Sequence, residues 1–296
     1  MASKQSAQDS IDDSSAPLIE HLAELRTRLI WSVVAFVVGM LICFAFGDQL
    51  LDFLLMPIEA TMRSLGNPNP VMQYTAPQEY FFTLVQISMV GGLALSFPVI
   101  AYQLWRFVAP GLYRSEKNAF LPFLIASPVL FLMGAAFAHF VVVPMAMGFF
   151  LGFADLPSMV AAYFTDTAAG VPPVPAETPG GIEIVFNGKV NETLDITLKM
   201  IIAFGLCFQL PVLLTLMGKA GLISAKGLRH GRKWAIVGIL TLAALVTPPD
   251  VLTQIILFSV VYGLYEISIF LVASVEKKRK AELQAEGLWD DEMDDE

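Results

Sequence analysis

Six apolar segments constrain the fold of this chain more than any other feature of its sequence. They cover approximately residues 29–46, 80–104, 120–150, 194–217, 235–246 and 252–275. A bilayer core of about 30 Å is crossed by about 20 helical residues, and a helix satisfies its own backbone hydrogen bonds in lipid. The chain is also 56% hydrophobic with a mean hydropathy of +0.65, which exceeds what a soluble domain can bury. We therefore predict an all-α integral membrane protein with six transmembrane helices.

The fifth apolar segment is too short to cross a bilayer of ordinary thickness. Residues 235–246 are followed at once by Thr247-Pro248-Pro249-Asp250, a turn sequence through which a helix does not continue. We therefore predict that the membrane beside this segment is thinned or wet. The third segment is long instead, and Pro122, Pro128 and Pro144 favour a tilted or bent helix there.

Lysine and arginine residues fall almost entirely on one side of the six predicted spans. All but three of the 18 lie in the N-terminal segment, in the loops after spans 2 and 4, and in the C-terminal tail. The exceptions are Arg63, Lys189 and Lys199. By the positive-inside rule, this asymmetry predicts that both termini are cytoplasmic.

Both ends of the chain are predicted to be disordered. Residues 1–16 are polar, rich in serine and aspartate, and do not resemble a secretory signal peptide. Residues 276–296 are first basic and then strongly acidic, and the acids of 281–296 account for most of the formal net charge of −9. The membrane domain is therefore predicted to comprise residues 17–275, and its own charge balance says little about its partners.

The two segments predicted to lie outside the cytoplasm are long and rich in proline. Residues 47–79 hold a second amphipathic run, and residues 153–193 hold several Pro-Pro and Pro-Gly turns. Within the second segment, apolar residues alternate on both sides of Asn187-Gly188, which is the strongest short signal for a β-hairpin. We therefore predict a small β-hairpin at this position in the external loop.

A short charged stretch, His21-Leu22-Ala23-Glu24-Leu25-Arg26-Thr27-Arg28-Leu29, runs directly into the first span. Read as a helix lying at the membrane surface, it has leucines on one face and Glu24 and Arg28 in a row at i, i+4 spacing. Charges beside a span are most often solvated anchors. However, a second carboxylate, Glu116, opens the third span. Two carboxylates at the bases of adjacent spans could accept a cationic peptide, because guanidinium binds carboxylate in bidentate fashion.

Polar residues inside the apolar segments are further candidates, because an unpaired polar group at membrane depth costs several kcal/mol. They are His139 in span 3, Gln209 in span 4, and Gln254 and Glu266 in span 6. One interpretation is structural, with His139 packed in the core and Glu266 bonded to a neighbouring helix or loop. Another is a small secondary transporter or proton channel that uses His139, Gln209 and Glu266.

An enzyme is the least favoured class of protein. The sequence has no P-loop, no Gly-x-Ser-x-Gly, no His-Glu-x-x-His and no Cys-x-x-Cys motif. Its two cysteines, Cys43 and Cys207, lie in apolar runs and are predicted to be buried, without a disulfide or a bound metal. We therefore expect no catalytic residue, no cofactor, no metal and no nucleic-acid partner.

Three motifs together resemble the TatC family. They are His-Leu-x-Glu-Leu-Arg-x-Arg-Leu at 21–29, Phe-x-x-Pro-Gly-Leu-Tyr-x-x-Glu at 107–116, and Thr-Pro-Pro-Asp-x-x-x-Gln at 247–254. The resemblance implies a curved, glove-like bundle of six helices in the bacterial inner membrane, with both termini cytoplasmic and short fifth and sixth spans. It also implies a receptor and core subunit of the twin-arginine translocase. Such a subunit binds the signal peptides of folded proteins and recruits the single-span subunits TatA and TatB for export driven by the proton motive force.

The resemblance further implies roles for individual residues. One group would form the signal-peptide surface: Glu24, Arg26, Arg28, Phe107 and Glu116. A second group would form the polar cluster where TatA and TatB dock: Thr247, Asp250 and Gln254. Pro57 matches a position needed for activity, Gln209 and Glu266 are further functional candidates, and self-association in a receptor complex is expected.

Two features of the chain depart from the family pattern. Gln209 stands where several family members have a glutamate, so this position has hydrogen-bonding groups but no titratable proton. The segment 153–193 is also longer than is usual in the family, and the hairpin predicted within it has no assigned role.

Overall fold

The structure is a computed structural model and describes residues 2–65, 67, 69–108, 121–153, 188–247 and 251–285. These residues are almost entirely helical. The helices are α1 (Ala2–Ala45), α2 (Gly47–Ser64), α3 (Pro77–Val108), α4 (Leu121–Phe137), α5 (Val143–Phe153), α6 (Val190–Cys207), α7 (Leu210–Lys219), α8 (Ala225–His230), α9 (Arg232–Val246) and α10 (Val251–Ala285). A π-helix, Ala138–Val142, joins α4 to α5, and two short strands are β1 (Met72–Gln73) and β2 (Gly188–Lys189).

Five stretches of helix are long and apolar enough to cross a membrane. They are Leu22–Ala45, Pro77–Phe107, Pro122–Gly152, Val190–Lys219 and Val251–Ala281. These stretches contain predicted spans 1 to 4 and 6, so the prediction of a helical, multi-pass membrane protein is confirmed. The fifth predicted span lies in α9, whose 15 residues are fewer than a bilayer normally requires. The count of six crossings and the glove-like shape therefore stay predictions.

Helix α1 is longer than the sequence predicts. It has 44 residues and does not end between the charged stretch at 21–29 and the apolar span, so the prediction of a separate surface helix is wrong. The helix also includes residues 2–16, for which the composition predicts disorder. The apolar span provides a helical nucleus, and extending an existing helix fixes fewer dihedral angles per hydrogen bond than starting one.

The third apolar segment is interrupted, as its prolines predict. In the π-helix the N–H of Val143 bonds to the carbonyl of Ala138, five residues earlier. Pro144 follows directly; it has no N–H, and its ring crowds the carbonyl four residues before it. The wider π-turn accommodates this crowding. Pro128, in contrast, lies inside α4 without ending it.

The fourth apolar segment is also divided, at Phe208 and Gln209 between α6 and α7. Pro211 lies in the first turn of α7. The first N–H groups of a helix have no partner within it, so a proline is tolerated there and favours a new helix start. The break leaves Gln209 between two helices.

The two strands pair in parallel and join the segments predicted to be external. Met72 lies opposite Gly188, and Gln73 lies opposite Lys189. Most of the hairpin predicted at Asn187-Gly188, including its first arm, lies outside the described residues. Its second arm is wrong beyond Lys189, because Val190 begins α6 and a helix replaces the expected strand.

Helices α1 and α3 run antiparallel and approach closely at glycines. A Cβ atom on Gly92 would lie 2.6 Å from the backbone of Met40, and one on Gly39 would lie 2.9 Å from the carbonyl oxygen of Gly92. Further along the same pair, Gly47 contacts the side chain of Leu84. Small residues let helices pack backbone against backbone in a membrane, where lipid supplies no hydrophobic force between them.

The other helices surround an apolar core. Its fully buried side chains come from α2, α3, the π-helix, α6 and α10, and include Ile58, Ile87, Val142, Phe204 and Leu257. Many large apolar side chains on the outer faces are exposed instead, as expected where lipid is the solvent. Cys43 and Cys207 are free and buried, which confirms their predicted burial.

Helix α10 is also longer than expected. It has 35 residues, so the prediction of a short sixth helix is wrong for the helix as a whole. The helix continues to Ala285, through residues that were predicted to be disordered. Glutamate, lysine, arginine, alanine, leucine and glutamine, which compose most of this extension, are the strongest helix formers.

Candidate functional site

The packing of α1 against α3 sets the level of the first candidate residues. Gly39 lies opposite Gly92 in the antiparallel pair. Both helices have the same rise per residue, so an equal step of 15 residues leads from Gly39 back to Glu24 and from Gly92 forward to Phe107. Glu24 and Phe107 therefore lie at one level, at the end of the bundle where the chain leads on to Glu116.

Glu24 is held by Arg28, one helical turn further along α1. The Nε atom of Arg28 donates to Oε1 of Glu24 over 3.2 Å, and Nη2 of the same guanidinium bonds to the same oxygen. The side chain of Arg28 is only 13% exposed, whereas that of Glu24 is 37% exposed. The arginine is thus embedded in the bundle and holds the carboxylate near its surface. Arg26 is exposed.

The end of α3 adds aromatic and basic groups at this level. Phe107 is half-buried. Nη1 of Arg106 donates to the hydroxyl of Tyr102 over 3.1 Å, and its guanidinium carbon lies 5.9 Å from the centre of the tyrosine ring. Glu116, the second predicted carboxylate, lies outside the described residues. The described part of the site is therefore one carboxylate among basic and aromatic side chains.

Glu266 is paired, as the structural interpretation predicts. Its Oε2 atom accepts a hydrogen bond of 2.7 Å from Nη2 of Arg232, the first residue of α9. Close by, the hydroxyl of Tyr265 donates to the carbonyl of Leu228 over 2.7 Å. These two bonds fix α10 against α8 and α9.

Gln209 connects α4 to the start of α7. The hydroxyl of Ser127 donates to Oε1 of Gln209 over 2.5 Å, and Nε2 of Gln209 donates to the carbonyl of Ser127 over 2.9 Å. Both halves of the amide are therefore used. Because Glu266 is also paired, two of the three groups that the transporter interpretation needs are engaged in bonds between helices.

His139 is the third of those groups, and it is buried without a polar contact. It lies in the π-helix, is 2% exposed, and neither ring nitrogen has a hydrogen-bond partner among the described residues. Its ring stacks on Phe53 with a distance of 4.6 Å between ring centres. The described residues also contain no group of three His, Cys, Asp or Glu side chains that could hold a metal ion.

The predicted docking residues lie where α9 ends and α10 begins. Thr247 is 6% exposed, and its hydroxyl donates over 2.8 Å to a carbonyl one turn earlier in α9. Gln254 is half-buried at the start of α10, and Asp250 lies outside the described residues. Pro57 is buried inside α2, where its carbonyl accepts the hydroxyl of Thr61 over 2.8 Å.

The sequence analysis missed a polar network between α3 and α6. Nε2 of Gln86 donates to Oδ1 of Asp195 over 2.9 Å, and Nζ of Lys199 donates to Oδ2 of the same carboxylate over 2.5 Å. The spacing of Asp195 and Lys199 was a usable signal, because residues four apart face each other on a helix. The partnership with Gln86 depends on tertiary packing, and no local pattern indicates it.

These helices and contacts define a multi-pass membrane protein with a charged site at one end of α1 and α3. The model of the family described as TatC, Sec-independent protein translocase protein, matches residues 20–259. The chain belongs to the TatC family.

Related proteins and structures agree with this assignment. The Sec-independent protein translocase protein TatC of Magnetococcus marinus is 41% identical over 274 residues, which cover 93% of this chain and 90% of that protein. The protein of the same name from Aquifex aeolicus is 36% identical and covers 89% of this chain and 98% of its own length. A crystal structure of the twin-arginine translocase receptor TatC is similar with a TM-score of 0.68 at 35% identity, over 86% of this chain and 99% of that one.

Family membership settles the class of function. The chain is a component of the Sec-independent protein translocase, and thus a subunit of a protein transport system rather than an enzyme. Its partners are those of the Tat system in general. The interpretation as a small secondary transporter is therefore set aside.

Proposed function

We propose that this chain is the receptor and core subunit of a twin-arginine translocase in the bacterial inner membrane. It binds twin-arginine signal peptides at the cytoplasmic ends of α1 and α3, and recruits TatA and TatB for export driven by the proton motive force. The observation that carries this proposal is the common level of Glu24 and Phe107 at the end of two closely packed helices. The similar crystal structure is described as a twin-arginine translocase receptor, which supports the same role here.

Glu24 has the chemistry to bind an arginine of the signal peptide. A carboxylate and a guanidinium can form two parallel hydrogen bonds, a geometry that lysine cannot reproduce. Arg28 contacts Glu24 from the buried side and so holds it outward. The peptide arginine approaches from the exposed side of the carboxylate, and the site therefore prefers Arg-Arg to Lys-Lys.

The rest of the signal-peptide surface is supplied by three further residues. Glu116 belongs to the same sequence motif as Phe107 and provides the second carboxylate, for the second arginine. Phe107 offers an aromatic face to the apolar part of the peptide. Arg26 is exposed on α1 and sets the electrostatic potential around the two carboxylates.

The proposed topology has six crossings and both termini in the cytoplasm. The backbone N–H of Ala225 donates to Oε1 of Glu276 over 2.9 Å, so the segment before α9 and the end of α10 lie side by side. This contact supports two crossings between these residues, with α9 as the fifth span. The distribution of lysine and arginine supports placing this end in the cytoplasm.

TatA and TatB dock, in this proposal, at the opposite end of α9 and α10. The surface consists of Thr247, Asp250 and Gln254. The Thr247 hydroxyl is bonded within its own helix, so the half-buried amide of Gln254 is the described group available to a partner helix. Pro57 contributes indirectly by shaping α2, and copies of the chain associate with each other in the receptor complex.

Substitution of Glu24 by glutamine tests the receptor proposal. The full-length protein in lipid nanodiscs is mixed with a labelled twin-arginine signal peptide or its Lys-Lys counterpart, and binding is followed by fluorescence anisotropy. The Arg-Arg peptide should bind to the wild-type protein more tightly than the Lys-Lys peptide. Glu24→Gln should weaken Arg-Arg binding by about 1–3 kcal/mol, the range for a charge-assisted hydrogen bond. Crosslinking from a photoreactive residue at Ala23 should show the same preference.

Glu59→Gln is the matched control. Glu59 forms the same i, i+4 pair with an arginine, Arg63, over 2.8 Å, but it is exposed on α2. This variant loses the same charge and the same kind of pair, and it should bind the peptide as the wild type does. Wild-type affinity in Glu24→Gln, or equal binding of the two peptides, would show that Glu24 is not the arginine site.

A further inference from the structure

A groove between three helices lies outside the proposed receptor and docking surfaces. Its apolar walls come from α4, α7 and α10, and include Phe123, Ala126, Pro211, Val212, Leu271 and Val275. The cavity has a volume of about 280 Å³. Two hydroxyls on its walls bond to their own helices: Thr215 donates to the Pro211 carbonyl over 2.5 Å, and Ser274 donates to the Phe270 carbonyl over 2.9 Å. The groove is therefore suited to a hydrocarbon chain.

Lys278 places a positive charge at the mouth of this groove. Leu271, Ser274, Val275 and Lys278 follow i, i+3, i+4, i+7 spacing, so they form one stripe along α10. The helical rise puts about 10 Å between the first and last residues of the stripe. Lys278 is exposed and forms no salt bridge with any residue that the structure describes.

The surroundings of the mouth are also basic. Residues 277–280 are all lysine or arginine, and Lys219 ends α7. Arg279 packs against the turn after α7, where Gly221 has a φ of +75° and an added Cβ would lie 2.9 Å from Nη1 of the arginine. The adjacent carboxylate, Glu276, accepts an N–H at the start of α8. The charge at the mouth therefore favours an anion.

We propose that this groove binds one anionic phospholipid, with an acyl chain between the three helices and the headgroup phosphate at Lys278. The outer face of α10 beside the groove has exposed apolar side chains, with Phe270 71% exposed, so the groove opens towards lipid. The transmembrane helix of a partner does not fit. One turn of such a helix occupies about 400 Å³, given a diameter of about 10 Å. Basic pockets between transmembrane helices are typical sites for anionic headgroups.

Native mass spectrometry of the full-length protein tests this proposal. The protein in detergent is incubated with phosphatidylglycerol or with phosphatidylcholine of identical acyl chains. Phosphatidylglycerol should bind more tightly, and Lys278→Gln should weaken its binding about fivefold, the effect expected of one lysine at an anionic surface. Ser274→Trp, at an exposed position on the rim, should displace both lipids by filling the groove without any change of charge.

Lys277→Gln is the matched control, because it removes the same charge from the adjacent residue, which is not on the groove stripe. It should change phosphatidylglycerol binding less than twofold. Excess inorganic phosphate should not displace the lipid, since the acyl chain contributes to binding. The proposal is overturned if the two lipids bind equally, if the two lysine variants weaken binding equally, or if phosphate displaces the lipid.

Discussion

Gln209 performs a task that an ionised glutamate could not. Its amide accepts a hydrogen bond from the Ser127 hydroxyl and donates one to the Ser127 carbonyl. A carboxylate only accepts, and a carboxylic acid matches the amide only while it is protonated. The glutamine therefore connects α4 and α7 whatever the pH. Any coupling of export to the proton motive force in this chain must use another group.

His139 gives the first prediction at the scale of single residues. The ring is buried, and its nitrogens have no hydrogen-bond partner among the described residues, which costs about 1–3 kcal/mol. Phenylalanine would keep the stacking on Phe53, and the adjacent cavity of about 240 Å³ accommodates the larger ring. His139→Phe should therefore raise the free energy of unfolding by about 1 kcal/mol, measured by thermal unfolding in detergent.

His139→Asn is the control for this substitution. It keeps a polar group at the site but loses the aromatic stacking, so its unfolding midpoint should fall below that of the wild type. A lower midpoint in His139→Phe would contradict the prediction. It would show that the ring nitrogens are bonded in the membrane.

Local spacing was enough to predict some of these residues but not their partners. The row of Glu24 and Arg28 follows from their separation by four residues, and the structure confirms this pair. The partners of Gln209 and Glu266 come from other helices, and no sequence pattern indicates which helix packs against which. The buried state of Arg28 was also not predictable, because it depends on the packing of α1 in the bundle.

At the scale of helices, the glycine contact of α1 with α3 determines the geometry of the proposed receptor site. Glu24 lies on one helix and Phe107 on the other, so any separation of the helices changes the distance between them. The two helices touch backbone to backbone at Gly39 and Gly92, which leaves no space for a side chain. Packing in the middle of the membrane thus controls a surface site 15 residues away along each helix.

Gly92→Ala should therefore reduce both stability and function. The new Cβ would lie 2.6 Å from the Met40 backbone, and backbone cannot move aside as a side chain can. We expect a loss of about 1–3 kcal/mol in the free energy of unfolding, typical of overpacking, together with weaker binding of the twin-arginine peptide. Thermal unfolding and fluorescence anisotropy measure the two effects.

Gly238→Ala in α9 is the corresponding control. No described atom lies within 4 Å of its added Cβ, and alanine is about 1 kcal/mol more favourable than glycine inside a helix. This variant should be at least as stable as the wild type and should bind the peptide normally. Equal behaviour of the two variants would mean that the α1–α3 contact does not set the site.

The existence of the helices was easier to predict than their ends. Long apolar segments predicted five of the helical stretches that can cross a membrane, because lipid permits few alternatives to a helix. The ends of α1 and α10 were wrong, since both helices continue into polar residues that hydropathy does not recognise as helical. The π-helix before Pro144 needed the structure, because a proline predicts an interruption but not its form.

At the scale of the whole molecule, α9 and α10 form a hairpin that is shorter than a bilayer is thick. Arg232 begins α9 and bonds to Glu266, which lies 15 residues after Val251, the first residue of α10. This separation corresponds to about 22 Å along the helix, against about 30 Å for a bilayer core. The charged pair would therefore lie within the hydrocarbon of an undistorted membrane, so the bilayer beside it must be thinner or hydrated.

The six-span topology predicts which side of the membrane each loop faces. With Cys43 and Cys207 replaced by alanine, single cysteines at Ser224 and Lys277 should react with an impermeant maleimide from the cytoplasmic side alone. A cysteine at Gln73, which lies opposite Lys189 in the paired strands, should react from the other side alone. Inside-out and right-side-out vesicles distinguish the two sides. Labelling of Ser224 and Lys277 from opposite sides would show that α9 does not cross. The contact between Ala225 and Glu276 would then have to be absent in the membrane, because it requires both positions on one side.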